Sequence, residues 1–78
     1  MSNVDRLPPH SLEAEEAVLG SLLIDPDVIF EVSAFLKPDS FYNETHRLVY
    51  ESILELYDKR IPLDFITLAE MLRAKGQL

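Results

Sequence analysis

Residues 7–20 read LPPHSLEAEEAVLG, and this stretch sets the start of the fold. Its two prolines stiffen a short arm that runs directly into an amphipathic helix, for which Ser11 is a suitable N-cap. Glu13 lies in the first turn of that helix, where the helix dipole favours negative charge. The stretch therefore predicts an N-terminal arm over residues 1–10 and a helical domain over residues 11–78, whose first helix ends near Asp25.

Prolines and capping residues divide the remaining sequence into three further helices. Asp25 is a typical N-cap, and Pro26 is typical of the first position of a helix. This pair predicts a second helix that runs to about Leu36. Lys37-Pro38 ends it, because the residue before a proline avoids the helical region. Residues 38–42 then predict one short turn of helix.

The third and fourth helices have equally clear limits. Asn43 is expected to cap the third helix, which runs to about Lys59. Asp64 is expected to cap the fourth, which finishes at Lys75 with Gly76 as a left-handed C-cap and Leu78 in contact with it. Because no stretch alternates with the period of a strand, the predicted class is all-α.

Size and charge limit what such a domain can do. A chain of 78 residues holds one small hydrophobic core of marginal stability, so self-association is expected. Seven basic and fourteen acidic residues give a formal net charge of −7. An acidic surface repels phosphate backbones, so direct binding of nucleic acid by this chain is not expected.

The expected cellular location of the protein rests on three kinds of sequence feature that are missing. There is no cysteine, so disulfides and thiolate metal sites are excluded. The first six residues do not resemble a secretory signal, and no run approaches the roughly 20 apolar residues of a membrane span. We therefore expect a cytoplasmic protein that does not contact a membrane.

Two ionisable residues project onto apolar helix faces. Glu15 falls among the apolar residues of the first helix, which are Leu12, Val18, Leu19, Leu22 and Leu23. His46 falls among those of the third helix, which are Val49, Tyr50, Ile53, Leu54, Leu56 and Tyr57. A buried carboxylate without a partner costs several kcal/mol. One hypothesis is that Glu15 and His46 meet, with Arg47 as a second candidate partner. The alternative is that Glu15 reaches solvent and His46 bonds to backbone.

The opposite face of the first helix combines charge with small side chains, namely Glu13, Glu16, Ala17 and Gly20. Glycine in an exposed helix costs about 1 kcal/mol relative to alanine, so a reason for Gly20 is needed. Close approach of another backbone would supply one. That backbone belongs either to another helix of the same domain or to a partner that docks over Glu13 and Glu16.

The sequence contains no pattern typical of catalysis, cofactor binding or metal binding. It lacks the G-x-x-x-x-G-K-[ST] loop that holds nucleotide phosphates. His10 and His46 are too far apart to form a helical metal pair, and the carboxylates are spread over solvated faces. No serine has the context of a nucleophile. We predict no catalytic, cofactor-binding or metal-binding residue in this chain.

Several motifs nevertheless resemble the N-terminal domain of bacterial DnaB-type replicative DNA helicases, and the likeness covers nearly the whole chain. They are Leu7-Pro8-Pro9, Glu13-Ala14-Glu15, Val18-Leu19-Gly20, Asp39-Ser40-Phe41-Tyr42, His46-Arg47 and Pro62-Leu63-Asp64-Phe65-Ile66-Thr67-Leu68. The resemblance implies a small orthogonal bundle of about four main helices. It also implies a linker to a RecA-like motor that holds ATP and magnesium, and a ring of six copies whose N-terminal domains pair into a collar.

The resemblance further implies partners. In this family the collar takes part in recruiting primase and, in some systems, a helicase loader. The family's domain continues into a further helix and a long helical hairpin that makes much of the pairing contact, so we interpret this chain as ending before the hairpin. Glu13 and Glu16, with Ala17 and Gly20, are the predicted partner-facing surface, because a fixed acidic face can steer a basic partner.

Two other classes remain open from the residues alone. Small acidic four-helix chains include acyl carrier proteins, and Ser40 after Asp39 superficially fits their phosphopantetheine site. Here Phe41 follows the serine, whereas those proteins carry leucine at that position. A DNA-binding helix-turn-helix would need a basic recognition helix, and the fourth helix offers only Arg73 and Lys75 near its end.

Overall fold

The computed structural model describes residues 11–76, and these residues form four α-helices with no strand among them. The helices are α1 (Leu12–Ile24), α2 (Ile29–Ser33), α3 (Glu44–Asp58) and α4 (Phe65–Ala74). Two 3-10 turns, Pro26–Val28 and Pro38–Ser40, lie before and after α2. The predicted all-α class is confirmed. The arm over residues 1–10 and the contact of Leu78 lie outside the described residues.

Three predicted N-caps are confirmed by hydrogen bonds from the first turn of their helices. The Ser11 hydroxyl accepts from the N–H of Ala14 at 3.1 Å, and the Asn43 side chain accepts from the N–H of His46 at 2.9 Å. Asp64 accepts from the N–H of Thr67 at 2.8 Å, and the Thr67 hydroxyl accepts in return from the Asp64 N–H. Each such cap stabilises its helix by about 1 kcal/mol. Gly76 has φ +76°, as a left-handed C-cap requires.

The prediction for the second helix is wrong in its extent. Its first three residues form the 3-10 turn, Asp25 makes no side-chain capping bond, and regular α-helix ends at Ser33 rather than near Leu36. Side chains take the last carbonyl groups: the Lys37 ammonium donates to the Ser33 carbonyl at 3.1 Å, and the Tyr50 hydroxyl donates to the Leu36 carbonyl at 2.7 Å. The segment after Ser33 therefore forms turns and does not continue the α-helix.

The core is drawn from every helix and from the residue after the second 3-10 turn. Its buried members are Leu19, Leu22, Ile29, Phe41, Tyr50, Ile53, Leu56 and Leu68. Phe41 and Tyr50 pack with their ring centroids 5.1 Å apart. The tyrosine ring is fully buried, and its hydroxyl keeps a hydrogen-bond partner, as a buried phenol requires.

Three residues predicted on apolar faces are instead exposed. Leu12 and Val18 on α1, and Tyr57 on α3, keep between about a third and a half of their surface accessible. The helix was predicted to be amphipathic, but the apolar side chains of α1 are spread around it and do not form one stripe, so the pattern does not single out the side that packs. Only Leu19 and Leu22 of α1 are buried, because that side meets α3 and the first 3-10 turn. None of the described helices is long and apolar enough to cross a membrane.

Candidate docking surface and the carboxylate beneath it

The carboxylate of Glu15 lies at the junction between α1 and the start of α3. Its Oε1 is 2.7 Å from Nδ1 of His46, and the two side chains are 12% and 13% exposed. An ionised carboxylate only accepts hydrogen bonds, so the imidazole donates through Nδ1. The structure thus brings together the two ionisable residues that sequence analysis projected onto apolar faces.

Two backbone groups complete the surroundings of this carboxylate. The N–H of Tyr42 donates to Oε2 at 2.7 Å, and the N–H of Asn43 donates to Oε1 at 3.3 Å. Both groups lie just before α3, where they have no helical acceptor. Glu15 therefore acts as a cap supplied by one helix to the next, and it joins α1 to α3 through charge-assisted hydrogen bonds.

The pKa of Glu15 reflects these contacts. Desolvation of the carboxyl works to raise its pKa, whereas the hydrogen bonds from His46, Tyr42 and Asn43 lower it. The bonds prevail, so the pKa lies below its ordinary value of 4.5. The carboxylate is consequently ionised near neutral pH, which is the state that the three donors require.

A second carboxylate lies on the outer side of the imidazole. Oε2 of Glu16 is 3.9 Å from Nε2 of His46, and the Glu16 side chain is 67% exposed. Arg47 does not pair with Glu15. Its guanidinium donates to the Tyr42 carbonyl at 3.4 Å, and its Nε is buried without a hydrogen-bond partner among residues 11–76.

The predicted partner-facing residues lie on the outer side of α1. Glu13, Glu16 and Ala17 are exposed, and Gly20 is half-buried. A Cβ added to Gly20 would meet nothing within 4 Å. The expectation that another helix of the same domain packs closely against Gly20 is therefore wrong for the described part of the chain. Room for a partner's backbone is the alternative that remains.

Sequence reasoning missed the two backbone donors to Glu15. The sequence identifies Asn43 as an N-cap, and a helix start indicates backbone N–H groups without a helical acceptor nearby. The contact itself spans 27 and 28 residues of chain. It depends on how α1 crosses the start of α3, and no local pattern encodes that crossing.

Comparison with known proteins identifies the domain. Residues 7–78 match the family model described as the DnaB-like helicase N-terminal domain. This chain belongs to that family. The domain is not the catalytic motor of the helicases in which it occurs.

Individual DnaB proteins and a solved structure agree with the family match. The chain is 44% identical to the replicative DNA helicase DnaB of Buchnera aphidicola subsp. Acyrthosiphon pisum over 94% of its length, and 38% identical to that of Geobacillus stearothermophilus over 95%. It spans 16% of the length of each. The crystal structure of the DnaB N-terminal domain from Mycobacterium tuberculosis superposes with a TM-score of 0.85 and 42% identity, over 91% of this chain and 49% of that one.

Membership in the DnaB family removes the basis for the acyl-carrier alternative. Ser40 closes the short 3-10 turn Pro38–Ser40 and does not open a long helix. Its hydroxyl accepts from the N–H of Lys37 at 3.1 Å. Among the described residues of this DnaB-type domain, no group of three or more His, Asp or Glu side chains is placed to hold a metal ion.

Proposed function

We propose that this DnaB-type domain serves DNA replication as a docking and assembly domain of a replicative helicase in the cytoplasm. The two relatives named above are replicative DNA helicases, of which the chain spans 16% of the length. Unwinding, with its ATP and magnesium, belongs in this proposal to the motor of such a protein. The observation that carries the proposal is the family match over residues 7–78.

The docking surface that we propose is the outer side of α1, with Glu13, Glu16, Ala17 and Gly20. Its partner is primase and, in some systems, a helicase loader. Exposed carboxylates steer a basic partner during encounter, and the open space at Gly20 admits a close approach. Beneath this surface, the bonds of Glu15 hold α1 against α3 and so keep the two outer carboxylates in a fixed position.

Charge reversal on this surface tests the docking role. In the full-length helicase, Glu13→Lys combined with Glu16→Lys should weaken binding of the cognate primase by about tenfold, mainly through slower association. The loss should shrink at high salt, because exposed charges are screened. Surface plasmon resonance at two ionic strengths measures both effects.

The matched control is reversal of charge on another helix. Glu70 on α4 is exposed and forms no ion pair within residues 11–76, so Glu70→Lys makes the same change in charge per site. Affinity for primase should stay near that of the wild type. Equal affinity for the wild type and the Glu13/Glu16 variant would rule out this face as the docking surface.

Self-association is the second part of the proposal. The resemblance implies that the family's helical hairpin makes much of the pairing contact. Sedimentation velocity should therefore show that a longer chain, extended through that hairpin, dimerises at lower concentration than the 78-residue chain. If both remained monomeric over the same concentration range, the domain would not contribute to assembly through that contact.

A further inference from the structure

A cavity of about 620 Å³ lies at the far end of α3 from the Glu15 contact. It opens between the first 3-10 turn and the segment that follows α3. Apolar surface comes from Ile29, Tyr57, Ile61 and Leu63, and carboxylates come from Asp27 and Asp58. Tyr57 is separated from His46 by about 16 Å along the helix, at roughly 1.5 Å per residue. None of the residues that line the cavity belongs to α1, so the cavity is separate from the proposed docking surface on the outer side of that helix.

One wall of the cavity is built by a tight reversal of the chain. Lys59 is the C-cap of α3, Arg60 follows with φ +61°, and the N–H of Ile61 donates to the Leu56 carbonyl at 2.9 Å. This is a Schellman ending, in which glycine is the usual residue at the left-handed position. The reversal turns Ile61 and Leu63 back toward α3, where they face the cavity.

The charges around the cavity have no partners in the described part of the chain. Asp27, Asp58 and Arg60 are exposed and form no ion pair there. By contrast, Glu55 on the preceding turn is bridged by two lysines. Two carboxylates against one guanidinium leave the rim acidic, in a chain of formal net charge −7.

We propose that this cavity binds a short amphipathic helix of another protein. One or two bulky aliphatic side chains of that helix contact the exposed Tyr57 and Ile61, and a lysine or arginine pairs with Asp58 and Asp27. The volume lies within the range of about 300–1,000 Å³ that is typical of small-molecule pockets, so the cavity has room for one or two inserted side chains and not for the helix itself. Apolar anchors with i, i+3 or i+4 spacing suit such a groove, and the excess of carboxylates selects a basic partner over an acidic one.

A pair of synthetic peptides tests the proposal on the 78-residue chain. One is a short helix-forming peptide with two leucines one turn apart and lysines elsewhere; the other carries glutamate in place of lysine. Titration followed by amide chemical shifts should show that the lysine peptide perturbs Ile29, Ile61 and Leu63. The glutamate peptide should leave these signals unchanged. Equal perturbation by both peptides, or shifts confined to Glu13 and Glu16, would overturn the proposal.

Charge reversal at one residue separates a built site from general attraction. Asp58→Lys should weaken the lysine peptide about fivefold, whereas Glu70→Lys, with the same change in net charge, should weaken it less than about twofold. Asp58 is exposed at the C-terminal end of α3, where lysine suits the helix dipole, so the variant is expected to fold. Equal weakening by both variants would show non-specific attraction and overturn the proposal.

Discussion

The two ends of α3 both use a glutamate, but the glutamates differ in what they hold. At the N-terminal end, Glu15 is largely buried and accepts from His46, Tyr42 and Asn43. At the C-terminal end, the Glu55 side chain is 39% exposed and pairs with Lys59 at 3.4 Å and Lys75 at 3.0 Å. The first contact joins an imidazole and two backbone N–H groups to one nearly buried carboxylate, and the second neutralises ammonium groups that water also solvates.

Desolvation is the largest single influence on the pKa of Glu15 and a minor one on that of Glu55, but hydrogen bonds lower the pKa of both groups. Hydrogen bonds from Lys75 and then Lys59 lower the pKa of Glu55. For Glu15, desolvation opposes the lowering, and the bonds from His46 and the backbone overcome it. A lowered pKa therefore does not rank the two contacts by structural importance. Burial of the two side chains ranks them instead: Glu15 and His46 are only 12% and 13% exposed, and an unpaired polar group costs more when it is buried than when it is exposed.

The largest effect is expected from Glu15→Ala. This change leaves the N–H groups of Tyr42 and Asn43 and the Nδ1 of His46 without their acceptor. The melting temperature, measured by circular dichroism at neutral pH, should fall by several degrees. A variant that melts with the wild type would show that water replaces the carboxylate at no cost, and the difference between the two ends would disappear.

Acid sensitivity is the second expected effect. Because the pKa of Glu15 is lowered in the folded state, its contribution to stability is present above the ordinary value of 4.5 and is lost as pH falls through the lowered pKa. Urea unfolding between about pH 5 and pH 3 should show this loss. Glu15→Gln and Glu55→Gln should each flatten the profile, because the pKa of both carboxyl groups is lowered in the folded state. Parallel profiles for the wild type and Glu15→Gln would show that the pKa of Glu15 is not lowered in the folded state.

The third effect concerns the partner of Glu15. His46→Leu removes the side-chain donor but keeps the two backbone donors, so it should cost less than Glu15→Ala, roughly 1–2 kcal/mol in the free energy of unfolding. Urea titration at pH 7 measures it. Arg47→Leu is a matched change at the next residue, whose guanidinium does not contact Glu15. If His46→Leu had no effect, the imidazole would be dispensable and the backbone bonds alone would hold Glu15.

A gain in stability is expected at the other end of α3. Arg60 has φ +61°, a conformation that is unfavourable for residues with a Cβ and easy for glycine. Arg60→Gly should raise the free energy of unfolding by about 1 kcal/mol, less the extra freedom of glycine in the unfolded chain. Thermal melting checks the sign. A loss of stability would mean that the Arg60 side chain contributes packing that outweighs the backbone strain.

The smallest effect is expected from Glu55→Gln. Exposed ion pairs contribute little, and salt screens them further. The urea midpoint should differ slightly from that of the wild type at low salt and coincide with it at high salt. A change as large as that of Glu15→Ala would erase the contrast between the two ends of the helix.

Much of the architecture was predictable because capping is local. Ser11, Asn43 and Asp64 each bond within three residues along the chain, so their types and positions predict where helices begin. The end of the second helix was not predictable in this way. It depends on the Leu36 carbonyl meeting the Tyr50 hydroxyl, which lies 14 residues further along the chain.

The candidate site was likewise predictable only in part. Projection on helix faces placed Glu15 and His46 toward the core, and the cost of an unpartnered buried charge suggested that they meet. The same projection put Leu12 and Val18 inside, although α1 leaves both exposed. Of the two neighbours that the residues allowed for Gly20, another helix of the domain or a docking partner, the described residues do not provide the first.

Helix starts, the all-α class and the acidic exterior followed from residue types and short spacings, since caps, dipoles and net charge act over one turn or over the whole surface. The choice of buried face on α1, the backbone donors to Glu15 and the cavity beyond Tyr57 required the packed arrangement. Each joins segments far apart in the chain, and their meeting depends on how helices cross, which is a property of the whole core.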